Sequence, residues 1–299
     1  MLSMKDMASI MTDTANQTNQ KFPFVTMPAF ETIGEGVRRK AGLEALYYGP
    51  MVTLDQVGSW QEYSVKNQGW LSSSRSTAAS STYGDYNPDN YQSGSITPVI
   101  FDMVDGVPTL AVESEPPYMP IWQASPPPFN PAFINYNGYP TAKGLLGAIS
   151  VAREGLFGWP EDLSDFAELV ITNKDHDEIH ANLVDWVKKG SNSTFDHPHS
   201  FFSEPVFEVL NNESSRIVGY IAGLVAWDRY LVKLLPEGVK GITCVLQASY
   251  QCRECNSTSW SSWWPSEETP VKHYTYLLDG NSVRPNLSVR TIYVISMVI

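Results

Sequence analysis

The sequence predicts an α+β protein in which antiparallel strands pack against helices. Apolar residues make up 42% of the 299 residues, which is enough to bury a core. In the last third of the chain, strand-like segments 201–210 and 217–227 are followed by a short helical segment and by two further strand-like segments, 241–247 and 273–278. This order is typical of an antiparallel sheet with a helix at one side.

The N-terminal elements are predicted from apolar spacing and from capping residues. Residues 2–20 carry a sparse helical pattern, which predicts a stalk helix. A second helix is expected over residues 29–40 and a buried strand over residues 43–52. Thr53 and Gln56 have the spacing of a capping box, so a third helix is expected to begin there.

The middle of the chain combines turn signals with one amphipathic segment. Residues 71–95 are rich in Ser, Thr, Gly, Tyr and Asn and predict a solvated loop. Asp105-Gly106 predicts a tight hairpin, because both central residues of such a turn take positive φ. Residues 175–189 predict an amphipathic helix that ends at Gly190.

Charge and sequons favour an extracellular protein that does not bind nucleic acid. The formal net charge is −12, and such an acidic surface repels phosphodiester backbones. Only 17% of the residues are charged, and glycans would supply the missing surface polarity. No apolar run is long enough for a membrane span. The candidate glycosylation sites are Asn16, Asn192, Asn212, Asn256 and Asn286.

The cysteines favour a structural disulfide over metal or redox chemistry. Cys244, Cys252 and Cys255 are too few for a four-thiolate zinc site. The last two have C-x-x-C spacing, but they follow a strand-like run and do not open a helix. The pairing among the three stays open, with one thiol left over.

The histidines give a weak alternative metal site. His176 and His180 are four residues apart on one predicted helix face, a spacing that can hold a divalent metal. Glu178 is misplaced for the H-E-x-x-H motif, so an exposed helix start is the favoured interpretation. A metal-dependent hydrolase would also require His197 and is the least favoured function.

Aromatic side chains crowd around a proline-rich segment, and there we place the candidate ligand pocket. Its residues are Tyr118, Trp122, Tyr136 and Tyr139, since rings supply contact area for a small organic ligand. The alternative is that they fill the core under a long loop. Exposed tryptophans in the segment 260–264 would instead suit a secreted carbohydrate-binding or adhesion module. No nucleophile or phosphate-binding motif is present, so we expect neither catalysis nor a cofactor from this chain.

Several segments together resemble the extracellular sensor modules of the Cache/CHASE kind, and more narrowly the ectodomains of receptor-type guanylate/adenylate cyclases of diatoms. In the C-terminal part these segments are FSEPVF (202–207), RIVGYIAG (216–223), WDRYL (227–231), LPEGVKGI (235–242) and YLLDGN (276–281). In the N-terminal part they are FPFVTMPAF (22–30), RKAGLEAL (39–46) and WQEY (60–63). The resemblance covers roughly residues 10–282.

The resemblance implies a fold of tandem PAS-like (Cache/CHASE-type) antiparallel sheets flanked by helices. The expected units are a stalk region (1–40), a membrane-distal sensor unit (41–190), a membrane-proximal PAS-like unit (191–282) and an atypical tail (283–299). It implies a small-molecule ligand and a homodimer in the full receptor. It also places the chain on the extracellular face, or in a secreted form, with the membrane segments and the cyclase domain of the family outside this sequence.

Overall fold

The computed structural model describes residues 3–81, 94–104, 107–111, 116–128, 130–138, 157–161, 199–226, 240–247, 273–279, 282–285 and 293–295. These residues form helices and mainly antiparallel sheets, which confirms the predicted α+β class. No helix in the described ranges is long and apolar enough to cross a membrane.

The described residues include four α-helices and eleven strands. The helices are α1 (Met4–Gln17), α2 (Phe30–Ala41), α3 (Val57–Lys66) and α4 (Gly69–Ala79). The strands are β1 (Ala45–Pro50), β2 (Phe101–Val104), β3 (Val107–Leu110), β4 (Gln123–Ser125), β5 (Phe157–Glu161), β6 (His199–Phe207), β7 (Ile217–Ala226), β8 (Lys240–Gln247), β9 (His273–Asp279), β10 (Ser282–Pro285) and β11 (Tyr293–Ile295).

The largest sheet has five strands in the order β4-β1-β7-β6-β5, and every neighbouring pair is antiparallel. Counted in chain order within this sheet, the sequence of strands is 2-1-5-4-3. The central strand β7 is rich in Ile, Val and Leu, and residues 217–225 are all buried. A strand that is covered on both faces requires such a composition.

Two smaller sheets complete the described topology. β8, β9 and β10 pair antiparallel, and β11 adds to β8 in parallel. β2 and β3 pair antiparallel, with Val104 opposite Val107, as the predicted hairpin requires, whereas Asp105 and Gly106 themselves lie outside the described residues.

Helix α1 packs on the five-stranded sheet, whereas the sequence pattern predicts a stalk. Its buried face is formed by Met4, Met7, Ala8, Met11, Thr12 and Ala15. The Thr12 hydroxyl donates a hydrogen bond of 2.6 Å to the carbonyl oxygen of Phe207 in β6. Gly223 in β7 permits the close approach, because a Cβ there would lie 3.0 Å from the sulfur of Met4.

The region after β1 differs in part from the prediction. The capping box of Thr53 and Gln56 is present, and it starts a 3-10 turn that leads into α3. The predicted loop over residues 71–95 is wrong as far as residue 79, because α4 continues to Ala79. Short polar side chains there hydrogen-bond back to the helix backbone, for example Ser76 to the carbonyl of Ser72.

The four strand-like segments of the last third lie in two sheets and do not form the single sheet that the pattern predicts. β6 and β7 belong to the five-stranded sheet, whereas β8 and β9 pair in the four-stranded one. β7 also pairs with β1, and β5 with β6, so the five-stranded sheet contains strands from both sides of residue 190. The predicted helix over residues 175–189 lies outside the described residues.

Candidate functional site

Five aromatic side chains gather beside the β4–β1 edge of the five-stranded sheet, and we call them the aromatic cluster. They are Phe24, Trp60, Tyr63, Trp70 and Trp122. The Trp60 and Trp122 rings meet edge to face with centroids 5.4 Å apart, and Trp70 meets Trp122 at 5.7 Å. These spacings are those of directly contacting rings.

Local structure explains how the cluster is assembled. Trp60 and Tyr63 are three residues apart in α3 and therefore lie on the same face of that helix. Trp122 is attached to the sheet, because its backbone N–H donates a hydrogen bond of 2.8 Å to the carbonyl of Tyr48 in β1. Trp60 and Trp122 are fully buried.

A chain of polar groups runs from the centre of the cluster to the surface. The indole N–H of Trp122 donates to Oγ1 of Thr26 at 2.9 Å, and that oxygen lies 2.7 Å from the hydroxyl of Tyr63. The Tyr63 hydroxyl also reaches Oε1 of Gln20 at 3.3 Å. Burial raises the pKa of Tyr63, although its side chain stays partly exposed. The cluster can therefore present hydrogen-bonding groups at its rim.

Asn135 holds Trp60 of the aromatic cluster by a hydrogen bond, and the sequence analysis did not predict this role. Its Oδ1 accepts from the indole N–H of Trp60 at 3.0 Å, while its Nδ2 donates to Ser64 and to the carbonyl of Thr97. Asn135 takes a φ of 75°, a conformation that asparagine tolerates better than most residues. The position of this asparagine within an aromatic-rich segment is the sequence feature that could have indicated its role.

Two polar atoms at the cluster have no hydrogen-bond partner within the described part of the chain. They are the hydroxyl of Tyr48 and the indole nitrogen of Trp70. Tyr48 is fully buried, and burial raises the pKa of its hydroxyl far above the ordinary value. An unpaired hydroxyl in such a place costs free energy.

The structure brings three of the four predicted pocket residues onto one ribbon. Residues 118–122 pair with residues 134–138, for instance through the N–H of Ile121 and the carbonyl of Tyr136 at 2.8 Å. Tyr118 and Trp122 are fully buried, which favours the core interpretation for both. Tyr136 is only half-buried and packs against Phe101 and Phe133.

Tyr139, the fourth predicted residue, lies outside the described residues. The assignment of a ligand to these four side chains therefore stays a prediction. Burial and the neighbouring Asp102 raise the pKa of Tyr118, so its hydroxyl is neutral at physiological pH.

A second polar group lies where α2 meets β4, and we call it the Glu31 site. It consists of Glu31, Arg38 and Ser125, all of them buried. Nε of Arg38 donates to the hydroxyl of Ser125 at 2.9 Å, and that hydroxyl also hydrogen-bonds the carboxyl group of Glu31. The sequence pattern gave no signal for this site, because Glu31 and Arg38 are ordinary residues for an exposed helix face.

No family model matches the sequence, and no curated protein is significantly similar to it. The resemblance to receptor-type cyclase ectodomains therefore stays a prediction from sequence motifs.

Two of the five candidate glycosylation sites fall on described residues. Asn16 is exposed at the end of α1, and Asn212 is exposed in the turn between β6 and β7. In that turn the side-chain oxygen of Asn212 accepts from the N–H of Ser214 at 3.1 Å. The other three candidates, Asn192, Asn256 and Asn286, lie outside the described residues.

The candidate disulfide and metal residues are mostly outside the described ranges. Cys244 lies in β8, whereas Cys252, Cys255, His176 and His180 are outside. Among the described residues, no group of three or more His, Cys, Asp or Glu side chains is placed to hold a metal ion. The disulfide and the metal alternative both stay predictions.

Proposed function

We propose that this chain is the extracellular ligand-sensing region of a receptor-type nucleotide cyclase. In this proposal the chain itself carries no catalytic site. Ligand binding regulates cyclic-nucleotide synthesis by a catalytic domain that belongs to the full receptor and lies outside this sequence.

The observation that carries the proposal is the strand order of the five-stranded sheet. An all-antiparallel sheet in the order 2-1-5-4-3 is the arrangement expected of a PAS-like sheet. The segments 202–207 and 216–223 carry much of the sequence resemblance, and they lie in β6 and, from Ile217 onwards, in β7, which are neighbours in this sheet. The exposed sequon at Asn212 suits an extracellular location.

The proposed ligand is a small organic molecule that binds beside the ribbon carrying Tyr118, Trp122 and Tyr136. A half-buried ring such as Tyr136 offers contact area for such a ligand. A ligand can shift a receptor dimer between two states only if it binds one state more tightly than the other. Because α1 and the ribbon both contact the same sheet, ligand binding and helix position can be coupled through it.

Sequencing the full transcript on both sides of this reading frame tests the receptor part of the proposal. We expect a membrane span and a nucleotide cyclase domain downstream, in frame with residue 299. A transcript that contains neither would contradict the assignment to a receptor cyclase, while leaving the sensor interpretation to the next experiment.

Ligand binding is tested on the chain secreted from a eukaryotic host. Thermal unfolding is followed in the presence of amino acids, short carboxylic acids and purines, and we expect at least one class to raise the midpoint. Tyr136→Ala should abolish that rise, whereas Leu110→Ala, at a side chain that is 48% exposed, should keep it. An equal rise in both variants would show that the ligand does not bind beside the ribbon.

A further inference from the structure

The contact between α2 and β4 contains a buried carboxyl group that is not part of the proposed ligand site. The side chain of Glu31 is only 3% exposed, and its Oε2 has no hydrogen-bond partner among the described residues. Its Oε1 lies 3.8 Å from Nη2 of Arg38, beyond hydrogen-bonding distance. The negative charge of an ionised Glu31 would therefore be compensated only in part.

Arg38 is held by other partners and does not depend on Glu31. Its Nε donates to the hydroxyl of Ser125 at 2.9 Å, and its Nη1 donates to the carbonyl of Glu44 at 3.4 Å. The guanidinium group thus keeps two acceptors when Glu31 is neutral. Protonation of Glu31 removes a poorly compensated charge without leaving the arginine unpaired.

The backbone of α2 lies directly against β4 at this point. A Cβ added at Gly34 would come within 2.7 Å of Cβ of Ser125 and 3.6 Å of Cδ2 of Leu46. With α2 in this position, Oε2 of Glu31 is buried away from bulk water. Hydration of the ionised group therefore requires α2 to move away from β4.

The charges around Glu31 do not cancel the effect of burial. On α2 itself, Glu35 raises the pKa of Glu31, and Arg39 lowers it less than Arg38 does. On the other elements packed against α2, Arg75 of α4, Tyr47 of β1, and Lys5, Asp6 and Asp13 of α1 have partners elsewhere. The hydroxyl of Tyr48 in β1 has no described partner, and it stays neutral because burial raises its pKa well above the ordinary value. β4 carries no titratable side chain.

Burial raises the pKa of Glu31, whereas the hydrogen bond from Ser125 and the charge of Arg38 lower it. The effect of burial is the larger, and the pKa rises from 4.5 to about 7. With α2 docked, the carboxyl group stays protonated up to that pH. With α2 displaced and the group hydrated, it ionises from about pH 4.5 upwards. The docked state is therefore favoured in acid and loses stability as the pH rises through this window, after which the loss is constant.

We propose that Glu31, Arg38 and Ser125 form a proton-sensing site, in which uptake of one proton by the Glu31 carboxylate tightens the docking of α2 on β4. The proton is taken from solvent, and no other bond changes. This site is separate from the organic ligand site and does not depend on it, so a receptor built on this chain would respond to the acidity of its surroundings as a second signal.

Hydrogen exchange of the α2 amides in the full chain tests the proposal, with rates corrected for the intrinsic effect of pH on exchange. We expect the opening equilibrium of α2 to rise by up to about tenfold per pH unit between pH 5 and 7 and to level off above that. In Glu31→Gln the rise should disappear. In Glu62→Gln, the same substitution at an exposed position of α3, it should remain.

A wild-type opening equilibrium that does not change with pH would overturn the proposal, and so would a rise that survives in Glu31→Gln. A second measurement covers the case in which Glu31→Gln does not fold. Difference infrared spectroscopy should show a protonated carboxyl band that disappears near pH 7. It is recorded in Glu204→Gln, because burial also raises the pKa of Glu204. Absence of such a band would equally overturn the proposal.

Discussion

The β4–β1 edge of the five-stranded sheet is held by two contacts of opposite character. The aromatic cluster joins Trp60 and Trp122 ring to ring, and both indole N–H groups have acceptors. The Glu31 site joins α2 to the same edge through a carboxyl group, an arginine and the hydroxyl of Ser125. The first contact is mainly apolar, and among its polar atoms the indole nitrogen of Trp70 has no partner in the described part of the chain; the second is polar, and one carboxyl oxygen of Glu31 has none.

The difference shows how one sheet edge can combine a contact whose stability does not depend on pH with one whose stability does. Burial of apolar rings contributes roughly 25 cal/mol per Å² whatever the pH. Burial of a carboxyl group carries a desolvation penalty that applies only when the group is ionised. Removal of the aromatic contact should therefore lower stability equally at every pH, whereas changes at the Glu31 site should act on the pH dependence itself.

Trp60→Ala should have the largest effect. The substitution removes a fully buried indole and leaves Oδ1 of Asn135 without its donor, so we expect a loss of about 3–5 kcal/mol in the free energy of unfolding. Urea titration at pH 6 and at pH 8 should give the same loss.

The control for this prediction is Val65→Ala in the same helix. Val65 is 43% exposed, so its truncation should change stability by less than about 0.5 kcal/mol. A loss for Trp60→Ala that differs strongly between the two pH values would mean that the two contacts are not independent.

Gly34→Ala should have the next largest effect, and Gly36→Ala supplies the matched control on α2. A methyl group at residue 34 would overlap Ser125, so we expect the free energy of unfolding to fall by about 1–3 kcal/mol. At residue 36 the same methyl group meets no atom within 4 Å, and the higher helix propensity of alanine should add about 0.4–1 kcal/mol. Chemical denaturation measures both, and equal signs would contradict the close contact between α2 and β4.

Ser125→Ala sharpens the comparison on the polar side. The substitution removes one acceptor of Arg38 and the hydrogen bond to Glu31. We therefore expect the free energy of unfolding to fall by roughly 1–2 kcal/mol. Because this hydroxyl lowers the pKa of Glu31, its removal should move the midpoint of the infrared titration above pH 7. Ser76→Ala, at an exposed position on α4, should leave the midpoint unchanged. A downward shift in Ser125→Ala would contradict the hydrogen bond.

The sequence predicts well those elements that have local signals. The hairpin follows from Asp105-Gly106, and the start of the 3-10 turn before α3 follows from Thr53 and Gln56. β6 and β7 follow from apolar runs on either side of a polar turn. In each case the deciding contacts lie within a few residues of one another.

Pairing and burial are what the sequence leaves open. β1 pairs with β7 across about 170 residues of chain, and no residue in either strand specifies that partner by its type. Trp122 could equally have lined a pocket, and only its contacts with Trp60 and Trp70 place it in a packed cluster. From its position in the sequence, Glu31 is expected on an exposed helix face, and only the contact between α2 and β4 buries it.

The smallest predicted effects come from removing single tyrosine hydroxyls beside the aromatic cluster. Tyr63→Phe deletes a hydroxyl that contacts Thr26 and Gln20, so we expect a loss of about 0.5–1 kcal/mol. Tyr48→Phe deletes a buried hydroxyl without a described partner, so stability should stay the same or rise by up to about 1 kcal/mol.

Thermal and urea unfolding of the two variants, side by side, measure this difference in sign. Neither hydroxyl ionises at neutral pH, because burial raises the pKa of both Tyr63 and Tyr48, so the two effects should be the same at pH 6 and at pH 8. A clear loss of stability in Tyr48→Phe would mean that this hydroxyl is paired in solution. That hydroxyl would then stabilise the sheet edge equally at every pH, whereas the contribution of the Glu31 carboxyl group changes as it ionises.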